Sequence, residues 1–310
     1  MATVMSDLDL APMRGGLRDS HKGHLAMLAF SALVAGSFSL GALIANEVTP
    51  AALNAVRFVL AGVLIGAAAA IGPGLKSQHF SAPWRYALLG GVFATYFVLM
   101  FYGLKTADPV SAAAVFTLTP AMSGVFGWLL LRQITTPRMA LALMIGGAGA
   151  LWVIFRADLE AAVRFEIGQG EVIYFVGCVA HALYTPMVRK LNRGEPALVF
   201  TFGVLVAGAV ALIALAWRDL IATDWAGLKP IVWIGLIYVS VCASACTFVL
   251  LQFATLRLPS AKVMAYTYLV PSWVILWEIA LGKGWPPALI FVGITLTIVA
   301  LWLLLKDEHG

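Results

Sequence analysis

Apolar residues run along this chain in long blocks separated by short polar breaks. The blocks fall at about 24–45, 50–71, 84–104, 109–131, 137–156, 169–190, 196–217, 229–256, 260–281 and 286–305. Each is near the length of about 20 apolar residues that carries a helix across a hydrocarbon layer. None shows the two-residue alternation of a barrel strand. Backbone amides in lipid must be paired within their own helix or in a closed barrel, so such blocks read as spanning helices. The pattern predicts an all-α membrane protein with ten transmembrane helices.

Proline placement predicts the same boundaries. Proline fits the first helical turn, where its missing N–H costs nothing. Pro50, Pro83, Pro109, Pro137, Pro196, Pro230, Pro259, Pro286 and Pro287 lie at or beside a block's start. Pro120, Pro186 and Pro271 fall deep inside blocks.

An internal repeat is visible. TLTPAMSGVFGWLLL around Pro120 is similar to TYLVPSWVILWEIAL around Pro271, and the following helices end in AGALWVIF and IVALWLLL. Pro120 and Pro271 are 151 residues apart, and Trp152 and Trp302 are 150 apart. Two five-helix halves follow, 24–156 and 169–305, joined by an external linker at 157–168 and flanked by cytoplasmic tails at 1–23 and 306–310. Five is odd, so the second copy enters the membrane upside down. Inverted halves of this kind are typical of secondary transporters, with the binding site at the midplane between them.

Composition agrees with the blocks. The 310 residues are 62% hydrophobic and 11% charged, with a mean hydropathy of +0.94. Soluble domains have about 25% charged residues. The same figures exclude disorder, a disulfide scaffold and a nucleic-acid-binding surface. The net charge of +5 therefore bears on orientation. Thirteen lysines and arginines, from Arg14 to Lys306, fall on the side of both termini. Six (Lys105, Arg156, Arg164, Arg218, Lys229, Lys283) fall on the other, and Arg57 lies within a span. The bias predicts a multi-pass protein of the cytoplasmic (inner) membrane with both termini in the cytoplasm. Cys178, Cys242 and Cys246 sit in apolar stretches and read as packing residues rather than metal ligands.

The chain resembles the drug/metabolite transporter superfamily, in its ten-helix EamA-type branch. The residues that carry the resemblance are TPAALNAVRFVLAG with Pro50 and Arg57-Phe58, FYGLKTADPVSAAAVFTLTP with Pro120, and GEVIYFVGCVAHALYTPMVRKL around Ala182 and Tyr184. Where the family commonly ends its fourth and ninth helices in L-G-E, this chain reads LLLRQ, with Arg132 and Gln133, and ALGKG, with Lys283. The resemblance implies export or exchange of small metabolites, with an amino-acid exporter, including one for aromatic amino acids, as the expected subgroup.

Candidate chemistry is sparse. No G-x-x-x-x-G-K-[ST] sequence, H-E-x-x-H helix or G-x-S-x-G elbow is present, which counts against an ATP-driven pump and the commoner membrane hydrolases. No cofactor or metal site is expected. Pro120 and Pro271 lie 11 residues into their blocks, roughly 16 Å deep at about 1.5 Å per residue, and are the hinge candidates. His181, on one helix face with Tyr174, Cys178 and Thr185, is a candidate for substrate binding or proton transfer. Arg57 and Glu278, at similar depths, are candidates for a gating ion pair, and Glu278 for a proton carrier. Small polar residues at comparable depth (Ser37, Ser39, Thr95, Thr117, Thr119, Ser240, Ser244, Thr267) suggest a polar cavity. Aromatic faces from Tyr96, Tyr184, Tyr266, Tyr268 and Trp273 favour aromatic or zwitterionic amino acids. The substrate-binding set expected is His181, Tyr184, Tyr96, Thr119, Ser244, Tyr268 and Trp273. Partners are a small-molecule substrate, the lipid bilayer and, as coupling ions, protons; nucleic acid is not one. The competing readings are an integral-membrane enzyme acting on a lipid-linked substrate, and a channel.

Overall fold

A computed structural model describes residues 17–134, 136–155, 157, 158, 160, 163 and 167–306, with side chains from residue 20 onward. Most of both expected tails, half of the 157–168 linker, and Arg14, Arg156 and Arg164 of the charge count lie outside the described residues. Every regular element among the described residues is helical.

α1 spans Leu17–Ile44, α2 Pro50–Ile71 and α3 Trp84–Gly103. α4 (Pro109–Phe116) and α5 (Thr119–Leu131) form one broken rod, followed by α6 (Pro137–Ile154). α7 (Gln169–Leu191) and α8 (Ala197–Ala222) come next. A second interrupted rod joins α9 (Pro230–Ser240) to α10 (Thr247–Thr255) through a π-helical segment, Val241–Cys246. A third joins α11 (Ser260–Ala265) to α12 (Val270–Ala280) through a 3-10 turn, Tyr266–Leu269. The last helix is α13 (Ile290–Leu305).

Among the described residues, nine rods are long and apolar enough to cross a membrane, and α13 is a shorter apolar helix of 16 residues. The expected tenth block was to start at Pro286. Instead the two prolines precede a tight turn in which the Ile290 N–H donates to the Pro287 carbonyl at 3.0 Å and that of Phe291 to Ala288 at 3.1 Å. Adjacent prolines remove two donors in a row, so helix bonding starts only beyond them. At the other end α1 begins at Leu17, inside the expected 1–23 tail. α8 runs five residues past its expected end at 217, just after a non-helical Ala216 (φ −107°, ψ 16°).

Local chemistry explains most starts. Pro50, Pro109, Pro137 and Pro230 occupy the first turn of α2, α4, α6 and α9. The Asp108 carboxylate caps α4 by accepting from Val110 N–H at 2.9 Å, and Thr136 caps α6 through Met139 N–H at 3.1 Å. Pro120 and Pro271 sit in the first turns of α5 and α12, so each interrupted rod restarts at its proline. Pro120 cannot donate to the Phe116 carbonyl. The Thr119 hydroxyl donates to it instead at 2.7 Å. Pro186, by contrast, lies within α7 and does not end it.

Helices from the 17–154 stretch pack mainly on helices from the 169–305 stretch. α2 lies on α8, α6 on α13, and α3 on both α7 and α8; α5 lies on α7 and α11, and α1 on α9, α10 and α12. The two stretches therefore share one large core, with a smaller satellite between α6, α11 and α13. Close approach at α6 and α13 requires glycine. A Cβ on Gly149 would sit 2.6 Å from the Gly293 carbonyl oxygen, and one on Gly293 would sit 2.6 Å from that of Gly149. Large apolar side chains such as Val63, Met144 and Leu215 remain exposed on the outside of the bundle, as expected of surfaces that face lipid.

Candidate functional site

The centre of the bundle is aromatic. α3 presents Phe93, Tyr96 and Phe97 at i, i+3 and i+4, one face of a helix, and that face meets Tyr174, His181 and Tyr184 of α7. Phe93 stacks on Tyr184 at 4.1 Å with 7° between the rings. The His181 ring lies 4.4 Å from Tyr96, 5.2 Å from Phe116 and 5.5 Å from Phe93. Its Nδ1 is buried with no hydrogen-bond partner. The Tyr96 and Tyr174 hydroxyls share a hydrogen bond of 3.1 Å. Tyr174, Cys178, His181 and Thr185 are all buried, so the expected face of α7 does look into the bundle.

Arg57 of α2 borders this centre and is fully buried. Its Nε donates to Ser244 Oγ at 2.5 Å and its Nη2 to the Ala243 carbonyl at 2.6 Å. Both acceptors belong to the π-helical segment, and Ser244 Oγ donates onward to the Val239 carbonyl at 2.7 Å. π-helical turns inside α-helices are often found at functional sites. Here the turn supplies a carbonyl and a hydroxyl to a cation. The guanidinium carbon lies 3.9 Å from the centre of the Phe97 ring. Nη1 has no hydrogen-bond partner, and among the described residues no carboxylate pairs with Arg57.

The structure does not make the expected ion pair between Arg57 and Glu278. Arg57 is committed to Ser244 and Ala243, while Glu278 Oε2 takes the Lys283 ammonium at 2.8 Å. Arg57 is also fully buried, so its guanidinium stays inside the bundle rather than reaching out to a headgroup layer. Thr119 reaches Thr267 across the bundle, hydroxyl to hydroxyl at 3.3 Å, so the two rods broken before Pro120 and Pro271 meet at their breaks. Other expected residues lie elsewhere. Tyr268 is packed over Gly146 in the satellite core. Trp273 donates to Ser31 Oγ on α1 at 3.2 Å, and Tyr266 bonds to His24 at 3.0 Å. Thr95 is exposed and bonds back to Gly91.

Several residues at the centre were not expected. Gln252 of α10 donates to the Tyr184 hydroxyl at 2.8 Å, leaving its own Oε1 buried and unpartnered. It is the one side-chain amide in the 230–255 stretch, and that scarcity was a readable signal. Phe93, Phe97, Phe116 and Phe248 look in sequence like any other apolar residues. Only helix rotation tells which phenylalanines turn inward.

The two mouths differ. At the Leu191 end of α7, Arg85 Nη2 bonds to Glu195 Oε1 at 2.7 Å and Nη1 to the Leu191 carbonyl at 2.6 Å. The Arg193 N–H adds 2.6 Å to Glu195 Oε2. Burial pushes the Glu195 carboxyl up, but the bonds from Arg85 and the Arg193 amide outweigh it and hold the group below its ordinary value. At the Gln169 end, a cavity of about 520 Å3 is lined by Asp108, Ser111, Glu278, Lys283 and Trp285 among others.

Comparisons with known proteins agree with this architecture. A Bacillus subtilis (strain 168) protein, the uncharacterized transporter YyaM, is 25% identical over 262 residues, covering 84% of this chain and 86% of its own length. An uncharacterized transporter of Archaeoglobus fulgidus (strain ATCC 49558 / DSM 4304 / JCM 9628 / NBRC 100126 / VC-16) is 24% identical over 291 residues, or 93% and 99%. A solved crystal structure superposes with a TM-score of 0.70 at 20% identity, over 94% of this chain and 99% of that one, a likeness of fold alone. The EamA-like transporter family matches residues 21–155 and again 168–306, so nearly all of the described helices fall in two consecutive family units. A multi-pass helical membrane protein with this match and these relatives belongs to the EamA-like transporter family.

Proposed function

We propose that this transporter moves small carboxylate-bearing metabolites, foremost hydrophobic or aromatic amino acids, out of the cell by alternating access about the Arg57–His181 centre. One observation carries the reading: a fully buried guanidinium with an unused N–H and no carboxylate partner among the described residues. A buried cation without a counter-ion is costly, and carbonyls and a ring face offset only part of that cost. A substrate carboxylate would complete the shell at Nη1. Tyr96, Tyr184 and His181 then offer hydroxyl, imidazole and ring surface to the rest of the molecule, with Ser244 and Thr119 as further polar groups.

Alternating access has its own support. The breaks before Pro120 and Pro271 give two rods whose α-helix is interrupted where they touch. Numbering the spans in order, the pairings of 2 with 7, 4 with 9 and 5 with 10 join equivalent members of the two sequence repeats. The pairing of 3 with 6 has its counterpart in 8 with 1. A pattern that survives exchange of the halves is what an inverted repeat of ten spans produces. With the basic residues as an orientation signal, both ends face the cytoplasm and the Glu278 mouth faces out. His181 and Glu278 are the groups on which proton coupling would act.

The test is flux into proteoliposomes for a panel of aromatic, branched-chain and small neutral amino acids, with and without a pH gradient. Saturable flux of at least one is expected. No flux for any member would overturn the substrate class.

A further inference from the structure

The cavity at the Glu278 mouth has chemistry of its own. Asp108 is occupied in capping α4, and the neighbouring Glu171 accepts the Ser111 hydroxyl at 2.9 Å. Glu278 is different. It is 7% exposed, Oε2 takes the Lys283 ammonium at 2.8 Å, and Oε1 is buried with no partner. An ionised carboxylate has room for about four donors, and this one has a single side-chain donor.

The backbone explains why Lys283 is there. α12 ends with Gly282 N–H donating to the Ile279 carbonyl and Lys283 N–H to the Glu278 carbonyl, both at 3.0 Å. This is the Schellman arrangement, which needs a left-handed residue after the helix. Gly282 supplies it at φ +79°, and Gly284 repeats it at φ +81°. The turn folds Lys283 back over Glu278, five residues earlier, while its side chain stays 43% exposed. An exposed ammonium on a glycine-flanked tether thus rests on a buried carboxylate at the wall of an open cavity.

We propose that this cavity is a subsite for a primary ammonium group, with Glu278 as counter-ion and Lys283 as a tethered ammonium that occupies the position until a ligand displaces it. Ser111 Oγ offers a further acceptor, and Trp285, Ile275 and Val153 form the apolar wall for the ligand's body. The volume is within the range of small-molecule pockets. The subsite goes beyond the transport reading and holds whether or not Arg57 recognises a carboxylate.

The experiment is calorimetric binding of 2-phenylethylamine, its quaternary trimethyl analogue and 3-phenylpropionate to the purified full-length protein in lipid nanodiscs. Wild type, Lys283→Gln and Glu278→Gln are compared. Removing the tethered competitor is expected to tighten 2-phenylethylamine about three- to five-fold, the scale of a partly exposed ion pair. The quaternary analogue has charge but no N–H and is expected to gain less than about two-fold. Glu278→Gln is expected to weaken the primary amine at least about ten-fold and to leave 3-phenylpropionate unchanged. If Glu278→Gln fails to fold, the Lys283→Gln arm decides alone. Equal or weaker amine binding in Lys283→Gln, or an equal gain for the quaternary analogue, overturns the proposal.

Discussion

At the scale of single residues, the informative positions are charges that burial makes expensive. The sequence exposed Arg57, His181 and Glu278 because ionisable groups are rare within apolar blocks. It could not supply their partners. Ser244 and Ala243 meet Arg57 only because a π-helical turn aims one hydroxyl and one carbonyl the same way, and Lys283 meets Glu278 only because a Schellman turn brings it back. In sequence Arg85 counts only as one of the thirteen basic residues on the side of the termini, since its partner Glu195 lies 110 positions away. That pair gives a pH prediction. The folded Glu195 carboxyl lies below its ordinary value, so the link stabilises the protein above the usual carboxylate range and is lost as pH falls through the folded value. Glu195→Gln is expected to lower the thermal midpoint at pH 7, and the gap from wild type is expected to close on acidification below about pH 4. A gap independent of pH would count against the ion pair. Glu195→Ala strands a buried guanidinium and is expected to cost about 3 kcal/mol in chemical unfolding.

At the scale of elements, proline and glycine mark where helices start, break and touch. Pro50, Pro109 and Pro137 made three starts readable to the residue, and Pro230 a fourth to within one, because ring geometry and a missing donor act locally. The π-helical segment VCASAC carried no such mark, and its extra residue was invisible in a uniformly apolar stretch. The early start of α1 was hidden by the polar run before residue 24. Two stability predictions follow from geometry. Gly149→Ala is expected to destabilise by about 1–3 kcal/mol through overpacking against Gly293. Arg132, at the end of α5, holds φ 55° without being glycine. Arg132→Gly is expected to stabilise by about 1 kcal/mol. Thermal or denaturant unfolding in detergent reads both. At the breaks, the double variant Pro120→Ala, Pro271→Ala restores N–H donors to both rods. It is expected to lower the transport kcat more than it raises KM; an unchanged kcat would remove the hinge role.

At the scale of the whole molecule, the two stretches that resemble each other in sequence pack on one another rather than apart. The two stretches do not stand side by side as closed bundles, because each buries its apolar faces mainly on the other. Sequence similarity between Pro120 and Pro271 could suggest a second copy, but not that Thr119 would touch Thr267, since pairing across halves depends on helix rotation. The same interlocking sets Arg57, from the 17–154 stretch, against the π-helical turn of the 169–305 stretch, so in the proposed mechanism carboxylate binding and the approach of the two stretches share a point of contact. The most direct measurement is counterflow of a labelled amino acid in proteoliposomes for wild type, Arg57→Lys and Arg57→Gln, with equal protein incorporation verified. Wild type is expected to show saturable counterflow. Lysine, which keeps the charge but not the planar fork, is expected to give an intermediate rate, and glutamine a loss of at least about ten-fold. Equal counterflow in wild type and Arg57→Gln would contradict a carboxylate-binding centre at Arg57.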